Sequence, residues 1–411
     1  MKKLLLGIAA TTLLISAPFA AFAGPLQDGK AAFKRKDFVT ARKIFEPLAN
    51  QGDKVAQFAI GLMYKNGWGG FPKSNIKAFN YFNKSAQQGF DFAQAYLGDM
   101  YYRGLGTSKN YSMAKYWFEK AAAQNSKQGN YGLGIIYAYA KGVPQNHTKA
   151  IGYISKAANA GHPGAQVEYG YAFEKGRGVT KSLSEAVKWY RMGAEQGETT
   201  GMKYLGLMYK QGRGVGQDYN EALKWFRKGH DIGCSICTYS LGMMYYEGKG
   251  VPKDYHQANT YFKLSADKGY YRAMTQLGYM YVKGYGFNKS KSQAVFWYRK
   301  GAEAGHDIAM SNLAAMYANG RGVIASQAEA LKWYKKAANK GHAKSQYWTG
   351  YFIENGLGTT ENRAKAIKWY KKAAAQGYHK AKIRLQILGA CNDQSKQNHL
   401  YISNLCENAN R

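Results

Sequence analysis

The chain has 411 residues with 58 Lys or Arg against 25 Asp or Glu, which gives a formal net charge of +33 at pH 7. Such a balance predicts attraction to anionic surfaces. After the first 23 residues no apolar run approaches the length of about 20 residues that a membrane-spanning helix needs, which excludes a multi-spanning membrane protein.

Residues 1–23 have the pattern of a cleavable secretory signal. Lys2 and Lys3 precede an apolar run of about twenty residues that ends in an A-x-A cleavage sequence at Ala21, Phe22 and Ala23. A membrane anchor is the alternative, but the run is short and rich in Ala and Thr. No cysteine follows the cleavage point, which argues against a lipoprotein. We therefore expect an exported protein, periplasmic or secreted, whose mature chain is soluble and has no transmembrane segment.

Residues 24–52 predict a short helical pair. Apolar residues around Phe33 form one stripe, and Ala41, Ile44 and Phe45 form a second, with a tight turn between them. The long G-x-G loop found later in the chain is missing here. We expect this pair to cap the N-terminal end of a repeat stack, because a terminal repeat must hide one face from water.

From residue 53 to residue 378 the sequence repeats itself. A glycine that usually follows leucine, here called the Leu-Gly glycine, recurs in steps of 36 residues after one first step of 37. A period of this length indicates a repeat array, in which one unit buries its apolar face only when a neighbour stacks on it. Ala314 occupies the one position without glycine, and the glycines are Gly61, Gly98, Gly134, Gly170, Gly206, Gly242, Gly278 and Gly350.

Each period contains two helical stripes, so it predicts two antiparallel helices, here called helix A and helix B. In one repeat Leu205, Met208 and Tyr209 mark helix A, whereas Leu223 and Trp225 belong to helix B. Glycines that suit a left-handed C′ position end helix B, and Asn125 takes this place in one repeat. Side chains that can cap the start of helix B also recur every 36 residues: Ser74, Asn110, Asn146, Ser182, Asp218, Asp254, Ser290, Ser326 and Asn362.

The consensus A-x-x-x-L-G-x-M-Y-x-x-G-x-G-V-x-x-D-Y-x-x-A-x-x-W-Y-x-K-A-A-x-x-G resembles the Sel-one-like repeat family, relatives of the tetratricopeptide repeats. The resemblance covers residues 53–378. It implies an all-α fold, a right-handed α/α superhelical solenoid of about nine helix-turn-helix repeats of 36 residues. It also implies a binding scaffold for protein partners, and some bacterial members act in envelope or host interactions, which makes this chain a virulence candidate. Fold alone does not fix function, so the partner stays open.

The four cysteines form two pairs. Cys391 and Cys406 lie in residues 379–411, a non-repeating tail that we expect to be a C-terminal cap closed by a disulfide. Cys234 and Cys237 have the C-x-x-C spacing of thiol oxidoreductases, but no βαβ pattern surrounds them. A local disulfide, or two small buried residues, is the favoured interpretation of that second pair.

Motifs for catalysis or metal binding are not complete anywhere in the sequence. The S-x-x-K sequence from Ser112 to Lys115 lacks the S-D-N and K-T-G partners of penicillin-recognising enzymes. His162, His306 and His342 share one register after the helix B glycine, without carboxylates or cysteines at ligand spacing, and are interpreted as surface residues. We expect no enzymatic activity, no cofactor and no metal.

The variation among repeats predicts a binding surface on helix A. Three positions, spaced three residues apart around the Leu-Gly glycine, differ from repeat to repeat and share one face of the helix. In related solenoids helix A lines the concave groove. Their aromatic content suits the recognition of a protein or peptide, and the alternative is that some of these side chains pack between repeats. The predicted partner-binding residues are Tyr96, Asp99, Tyr102, Tyr171, Tyr204, Tyr246, Tyr279, Trp348 and Tyr351.

A basic ladder on helix B supports a rival function. Its members are either an ordinary solvated surface or a footprint for anionic lipid, lipopolysaccharide or cell-wall polymer, which would make the protein an envelope tether. Because the signal segment directs the chain out of the cytoplasm, nucleic acid is not expected as a partner. The ladder consists of Arg191, Arg227, Lys263, Arg299, Lys335 and Lys371.

Overall fold

The computed structural model of the chain describes residues 24–392. The predicted signal segment, residues 1–23, lies outside the described residues, as do residues 393–411 of the tail. The predicted disulfide between Cys391 and Cys406 also falls outside them, because Cys406 belongs to the second range and only the backbone of Cys391 is described.

Every regular element in residues 24–392 is a helix, which confirms the all-α class. None of these helices is both long enough and apolar enough to cross a membrane. In chain order they are α1 (Pro25–Lys34), α2 (Phe38–Asn50), α3 (Lys54–Asn66), α4 (Asn75–Gln87), α5 (Asp91–Arg103), α6 (Tyr111–Ala122), α7 (Lys127–Ala138), α8 (His147–Asn159), α9 (Pro163–Lys175), α10 (Leu183–Glu195), α11 (Thr199–Gln211), α12 (Tyr219–Asp231), α13 (Ser235–Glu247), α14 (Tyr255–Asp267), α15 (Tyr271–Lys283), α16 (Lys291–Glu303), α17 (Asp307–Ala318), α18 (Gln327–Asn339), α19 (Ala343–Glu354), α20 (Arg363–Ala375) and α21 (His379–Asn392).

The chain divides into two compact units, and the division falls inside α12, after Ala222. In unit 1 consecutive helices from α1 to α11 pack against each other, and in unit 2 the same is true of consecutive helices from α13 to α21. Helices A are the odd-numbered helices α3 to α19, and helices B are the even-numbered helices α4 to α20. Each unit is thus a stack of helix pairs, and the predicted solenoid repeat is confirmed.

The predicted boundaries of helix B are confirmed in every repeat. The side-chain oxygen of the capping residue accepts a bond from a backbone N–H in the first turn, for example from Lys77 to Ser74 at 3.2 Å and from Lys149 to Asn146 at 2.8 Å. At the other end Asn125 has a φ of 59°, the left-handed conformation predicted for it. The capping residues are Ser74, Asn110, Asn146, Ser182, Asp218, Asp254, Ser290, Ser326 and Asn362.

The Leu-Gly glycine lets an aromatic ring of helix B lie directly on helix A. A Cβ atom placed on Gly98 would come within 2.7 Å of the Phe118 ring, and one on Gly242 within 2.6 Å of the Phe262 ring. Both phenylalanines are almost completely buried. Because a side chain at this position would force the two helices apart, glycine recurs here for a packing reason rather than for a turn.

Candidate functional site

Two of the predicted partner-binding residues are buried, so the prediction is wrong for them. Tyr96 is 2% exposed, and its ring lies 5.3 Å from both Phe58 and Phe82. Asp99 is also 2% exposed and accepts a bond from Arg103 Nε at 2.7 Å. Burial raises the pKa of Asp99, and Arg103 acts in the opposite direction. Tyr96 packs between repeats, and neither side chain offers a surface to a partner.

In unit 1 a row of half-buried tyrosines crosses successive helices A. Tyr102 and Tyr139 pack on the apolar cluster around Tyr131. The Tyr139 hydroxyl donates to Glu168 Oε2 at 3.0 Å, and the rings of Tyr171 and Tyr204 lie 6.1 Å apart. We call Tyr102, Tyr139, Tyr171 and Tyr204 the unit 1 aromatic surface.

Positive charge surrounds the unit 1 aromatic surface. Lys203 Nζ lies 3.7 Å from the centre of the Tyr204 ring, and the Arg177 guanidinium lies 5.3 Å from that of Tyr171. Tyr171 and Arg177 also border a small cleft between α7, α8 and α9, together with Tyr139, His147, Ile151 and Glu168. The surface therefore combines aromatic area, a carboxylate and cations within four consecutive repeats.

In unit 2 four half-buried tyrosines form one cluster, which we call the unit 2 tyrosine cluster: Tyr246, Tyr255, Tyr279 and Tyr285. The rings of Tyr255 and Tyr285 are stacked with centroids 4.6 Å apart, and Tyr246 lies 5.6 Å from Tyr255. Tyr279 lies 6.3 Å from Tyr285. Burial raises the pKa of Tyr246 to about 12, and a hydrogen bond with Tyr279 adds to the rise. The Tyr246 hydroxyl is therefore protonated at neutral pH, as a hydrogen-bond donor requires.

Sequence reasoning found only half of this cluster. Tyr246 and Tyr279 are in the predicted stripe of helix A, whereas Tyr255 begins α14 and Tyr285 lies in the loop after α15. Asn259 holds that loop, because its Nδ2 donates to the Tyr285 carbonyl at 2.8 Å. Two features of the sequence could have pointed to these residues. Tyr255 directly follows the capping residue Asp254, and Tyr285 lies between the loop glycines Gly284 and Gly286. Both lie outside the variable positions of helix A, from which the prediction was made.

The last two predicted residues lie on α19 at a smaller aromatic patch. Trp348 and Tyr351 are half-buried, and their rings meet edge to face with centroids 5.4 Å apart. Trp348 also stacks on Tyr334 of α18 at 6.1 Å. Both side chains pack against the apolar core of unit 2 and leave one edge open to solvent.

The basic ladder is partly structural. Arg191 donates a hydrogen bond to the Tyr209 hydroxyl, and Arg299 Nη2 donates to the Tyr317 hydroxyl at 2.6 Å. In both cases the arginine links helix B to the following helix A through a side-chain hydrogen bond. The remaining members follow a different pattern: Arg227, Lys263 and Lys371 are exposed and Lys335 is half-buried.

A second set of cations, which the sequence analysis missed, covers the helix B tryptophans of unit 2. Lys336 Nζ lies 4.2 Å from the Trp333 ring, and Lys372 Nζ lies 4.4 Å from the Trp369 ring. Lys228 stands 4.7 Å from Trp225 in the same register. A lysine over an indole face covers apolar surface with its stem and is attracted by the ring. Part of the positive charge therefore stabilises the repeats themselves.

Two of the three histidines in one register, His162 and His306, are buried, contrary to the prediction, and His342 is half-buried. His162 is 4% exposed, and its Nδ1 accepts the Ala165 backbone N–H at 3.1 Å at the start of α9. His306 Nδ1 lies 2.7 Å from Thr275 Oγ1, and His342 Nδ1 lies 2.8 Å from Ser345 Oγ. Within residues 24–392 no three or more His, Cys, Asp or Glu side chains are grouped as a metal site would need.

The buried His162 predicts a loss of stability in acid. Burial, with a contribution from Lys127, lowers the pKa of His162 from 6.5 to about 3. Between these two pKa values His162 is protonated in the unfolded chain but neutral in the folded chain. The free energy of unfolding therefore falls as pH falls through this range, by up to about 1.4 kcal/mol per pH unit. We expect His162→Asn, which keeps a capping side chain, to lose about 2 kcal/mol less than the wild type between pH 7 and pH 5 in chemical denaturation.

Exposed His256 supplies the matched control for this experiment. His256→Asn should show the same dependence on pH as the wild type. Equal slopes for His162→Asn and the wild type would contradict the role given to His162.

Comparison with known proteins follows the same repeat boundaries. The family model described as Sel1 repeat matches nine segments, residues 54–90, 91–126, 127–162, 163–198, 200–229, 235–270, 272–306, 307–342 and 343–378. The solved Sel1 repeat protein from Oxalobacter formigenes is 29% identical over 59% of this chain and 97% of its own, with a TM-score of 0.52. A protective antigen of uropathogenic Escherichia coli that displays an SLR fold is 28% identical over 94% of this chain and 90% of its own, with a TM-score of 0.42. Among the curated proteins, none matches the chain.

Proposed function

We propose that this chain, which belongs to the Sel1 repeat family, is an exported scaffold that binds a protein or peptide on the helix A surfaces of its repeats. Sel1 and tetratricopeptide-like scaffolds generally mediate protein–protein interactions, and Sel1 repeat proteins are typically non-catalytic. Export rests on the signal pattern of residues 1–23, and a role in envelope assembly or in contact with a host would follow from it.

The unit 2 tyrosine cluster is the observation that carries this proposal. Some structural tyrosines in this chain are completely buried, as Tyr190 and Tyr370 are at 0% exposure. The four tyrosines of the cluster instead keep part of each ring at the surface, where Lys283 Nζ stands 5.7 Å from Tyr279. Tyrosines offer large contact area and a polar hydroxyl at low cost in conformational entropy, which suits anchor residues of an interface.

Binding of an anionic envelope component is the second candidate. The net charge of +33 and the exposed Arg227, Lys263 and Lys371 favour it. Against it, Arg191 and Arg299 of the same ladder are bound to tyrosines of their own unit. Because two of the six basic side chains of the ladder are engaged in contacts within the protein, the ladder is a weaker basis for binding than the tyrosine cluster.

Site-specific crosslinking separates the two surfaces. A photoreactive amino acid is placed at Lys283, beside the cluster, or at Lys263 on the ladder, both of which are exposed. The full chain is expressed with its signal segment and irradiated in intact cells. We expect a discrete protein adduct from position 283 and none from position 263. Adducts from position 263 alone would place the partner on the basic ladder and overturn the proposal.

Export has its own test, which does not depend on the partner. Protein recovered from the envelope or secreted fraction should begin at Gly24, as N-terminal sequencing would show. A chain that keeps Met1 and stays in the cytoplasmic fraction would contradict the exported part of the proposal.

A further inference from the structure

The C-x-x-C pair lies at the start of α13 and is closed as a disulfide between Cys234 and Cys237. Its two sulfurs have different surroundings. Cys234 is the residue immediately before the helix and is partly exposed, whereas Cys237, one turn into the helix, is completely buried. Only one end of the disulfide can therefore be reached from solvent.

The backbone around Cys234 favours negative charge on its sulfur. The Cys237 backbone N–H donates to Cys234 Sγ at 3.0 Å, in the position that a capping oxygen would take. The free N–H groups and the dipole of a helix start stabilise an anion, and a cysteine in this position has a lowered thiol pKa when it is reduced. A thiolate on Cys234 would thus be both a good leaving group and a nucleophile toward disulfides.

The buried sulfur is accommodated by a matched glycine. Position 237 corresponds to Ala165, Ala273 and Ala309 in other repeats, so the packing does not otherwise require a residue as large as cysteine. Opposite it on α12, a Cβ atom on Gly229 would collide with Cys237 Sγ. Gly229 therefore provides the room that Cys237 Sγ occupies in the disulfide.

We propose that Cys234 and Cys237 form a thiol–disulfide exchange site, with Cys234 as the sulfur that reacts with thiols or disulfides of other proteins. Thiol–disulfide exchange does not need a βαβ unit around the cysteines. It depends on one accessible sulfur at a helix start and one buried sulfur a turn away. The substrate class is a solvent-exposed dithiol or disulfide of a protein chain.

The exchange balances without a cofactor. A partner thiolate attacks Cys234 Sγ, a mixed disulfide forms, and the Cys234–Cys237 bond breaks with its electron pair on Cys237 Sγ, which takes up a proton. A second partner thiolate then attacks the partner's own sulfur in the mixed disulfide and releases Cys234 as a thiolate. The partner dithiol loses two electrons and the chain gains them, and the reverse reaction reduces a partner disulfide.

Trapping of the mixed disulfide tests the proposal. Full-length Cys237→Ser and Cys234→Ser variants are incubated with oxidised glutathione, and peptide mapping follows modification at the remaining cysteine. We expect Cys234 in Cys237→Ser to react at least tenfold faster than Cys237 in Cys234→Ser. Serine at position 234 retains a capping side chain, and circular dichroism checks that both variants stay folded at the temperature of the reaction.

The wild-type chain provides the second measurement. In a dithiol and disulfide glutathione buffer its Cys234–Cys237 pair should reach equilibrium while the circular dichroism spectrum stays native, and it should exchange disulfides with an unfolded peptide substrate. Equal reactivity of the two single cysteines, or a disulfide that is reduced only after the protein unfolds, would show a purely structural link and overturn the proposal.

Discussion

Replacing Arg384 with alanine is expected to lower the stability of the C-terminal helix pair by about 3–5 kcal/mol, because it leaves a buried carboxylate without its counterion. Glu354 at the end of α19 is 4% exposed. It accepts two bonds from Arg384 of α21, at 2.9 and 2.7 Å, and a third from the Tyr370 hydroxyl at 2.6 Å. The expected result is early loss of hydrogen-exchange protection in α20 and α21.

The control for this variant is an ion pair of similar length on the surface. Lys332 Nζ lies 2.7 Å from Glu329, but the two side chains are 53% and 37% exposed. An exposed pair of this kind contributes about 0.5 kcal/mol or less, so Lys332→Ala should leave protection almost unchanged. Equal effects of the two substitutions would show that Glu354 does not depend on Arg384.

The double substitution of Tyr246 and Tyr279 by alanine is expected to weaken partner binding by a factor of at least about 100. Each anchor tyrosine at the centre of an interface typically contributes about 2 kcal/mol or more, and 1.4 kcal/mol corresponds to a tenfold change in affinity. The measurement is the dissociation constant of the crosslinked partner, once it has been purified, by calorimetry.

Folding of the double variant has to be shown separately, because Tyr246 also contacts Tyr255 at 5.6 Å. An unchanged helical signal and melting temperature would establish it. Tyr116→Ala is the matched control, since Tyr116 is a 45% exposed tyrosine on helix B and is not a member of the cluster. A folded double variant that binds as well as the wild type would remove the cluster from the site.

The repeat boundaries were predictable from the sequence because they depend on local chemistry. A capping residue such as Ser290 satisfies a backbone N–H three residues along, at 3.2 Å, and needs nothing from the rest of the fold. Asn125 in place of glycine follows from the same kind of argument, because only its own backbone conformation is involved. Each capping residue or terminal glycine is weak evidence by itself. Because these residues recur every 36 positions, together they predict the helix pairs firmly.

The exposure of individual side chains was not predictable in this way. Spacing placed Tyr96 and Tyr279 on the same face of helix A, but the rings of Phe58 and Phe82 cover Tyr96. Glu174 and Glu354 also vary in that face, yet each is buried and bound by a tyrosine hydroxyl, from Tyr190 at 2.7 Å and from Tyr370 at 2.6 Å. Helical periodicity shows on which face of a helix a side chain lies. Whether that side chain is buried depends on which residues of the neighbouring repeats pack against the same face.

The position of the histidines illustrates the same limit. The sequence shows His162 just after the glycine that ends a helix B, which is usually an exposed turn. In the fold the ring stacks on Tyr131 of the preceding repeat, with centroids 4.3 Å apart, and serves as the cap of α9. A contact between side chains 31 positions apart leaves no periodic signal within one helix.

The dependence of partner affinity on salt tests the central claim most directly. A partner anchored by the tyrosine cluster buries apolar area and neutral hydroxyls, so its dissociation constant should change by less than about threefold between 50 and 300 mM salt. Attraction between the exposed ladder and a polyanion is screened over this range, because the Debye length falls from about 14 to about 6 Å. A loss of affinity of more than tenfold between 50 and 300 mM salt would contradict the account if Lys263→Ala and Lys371→Ala also weaken binding at low salt. That result would favour the envelope tether.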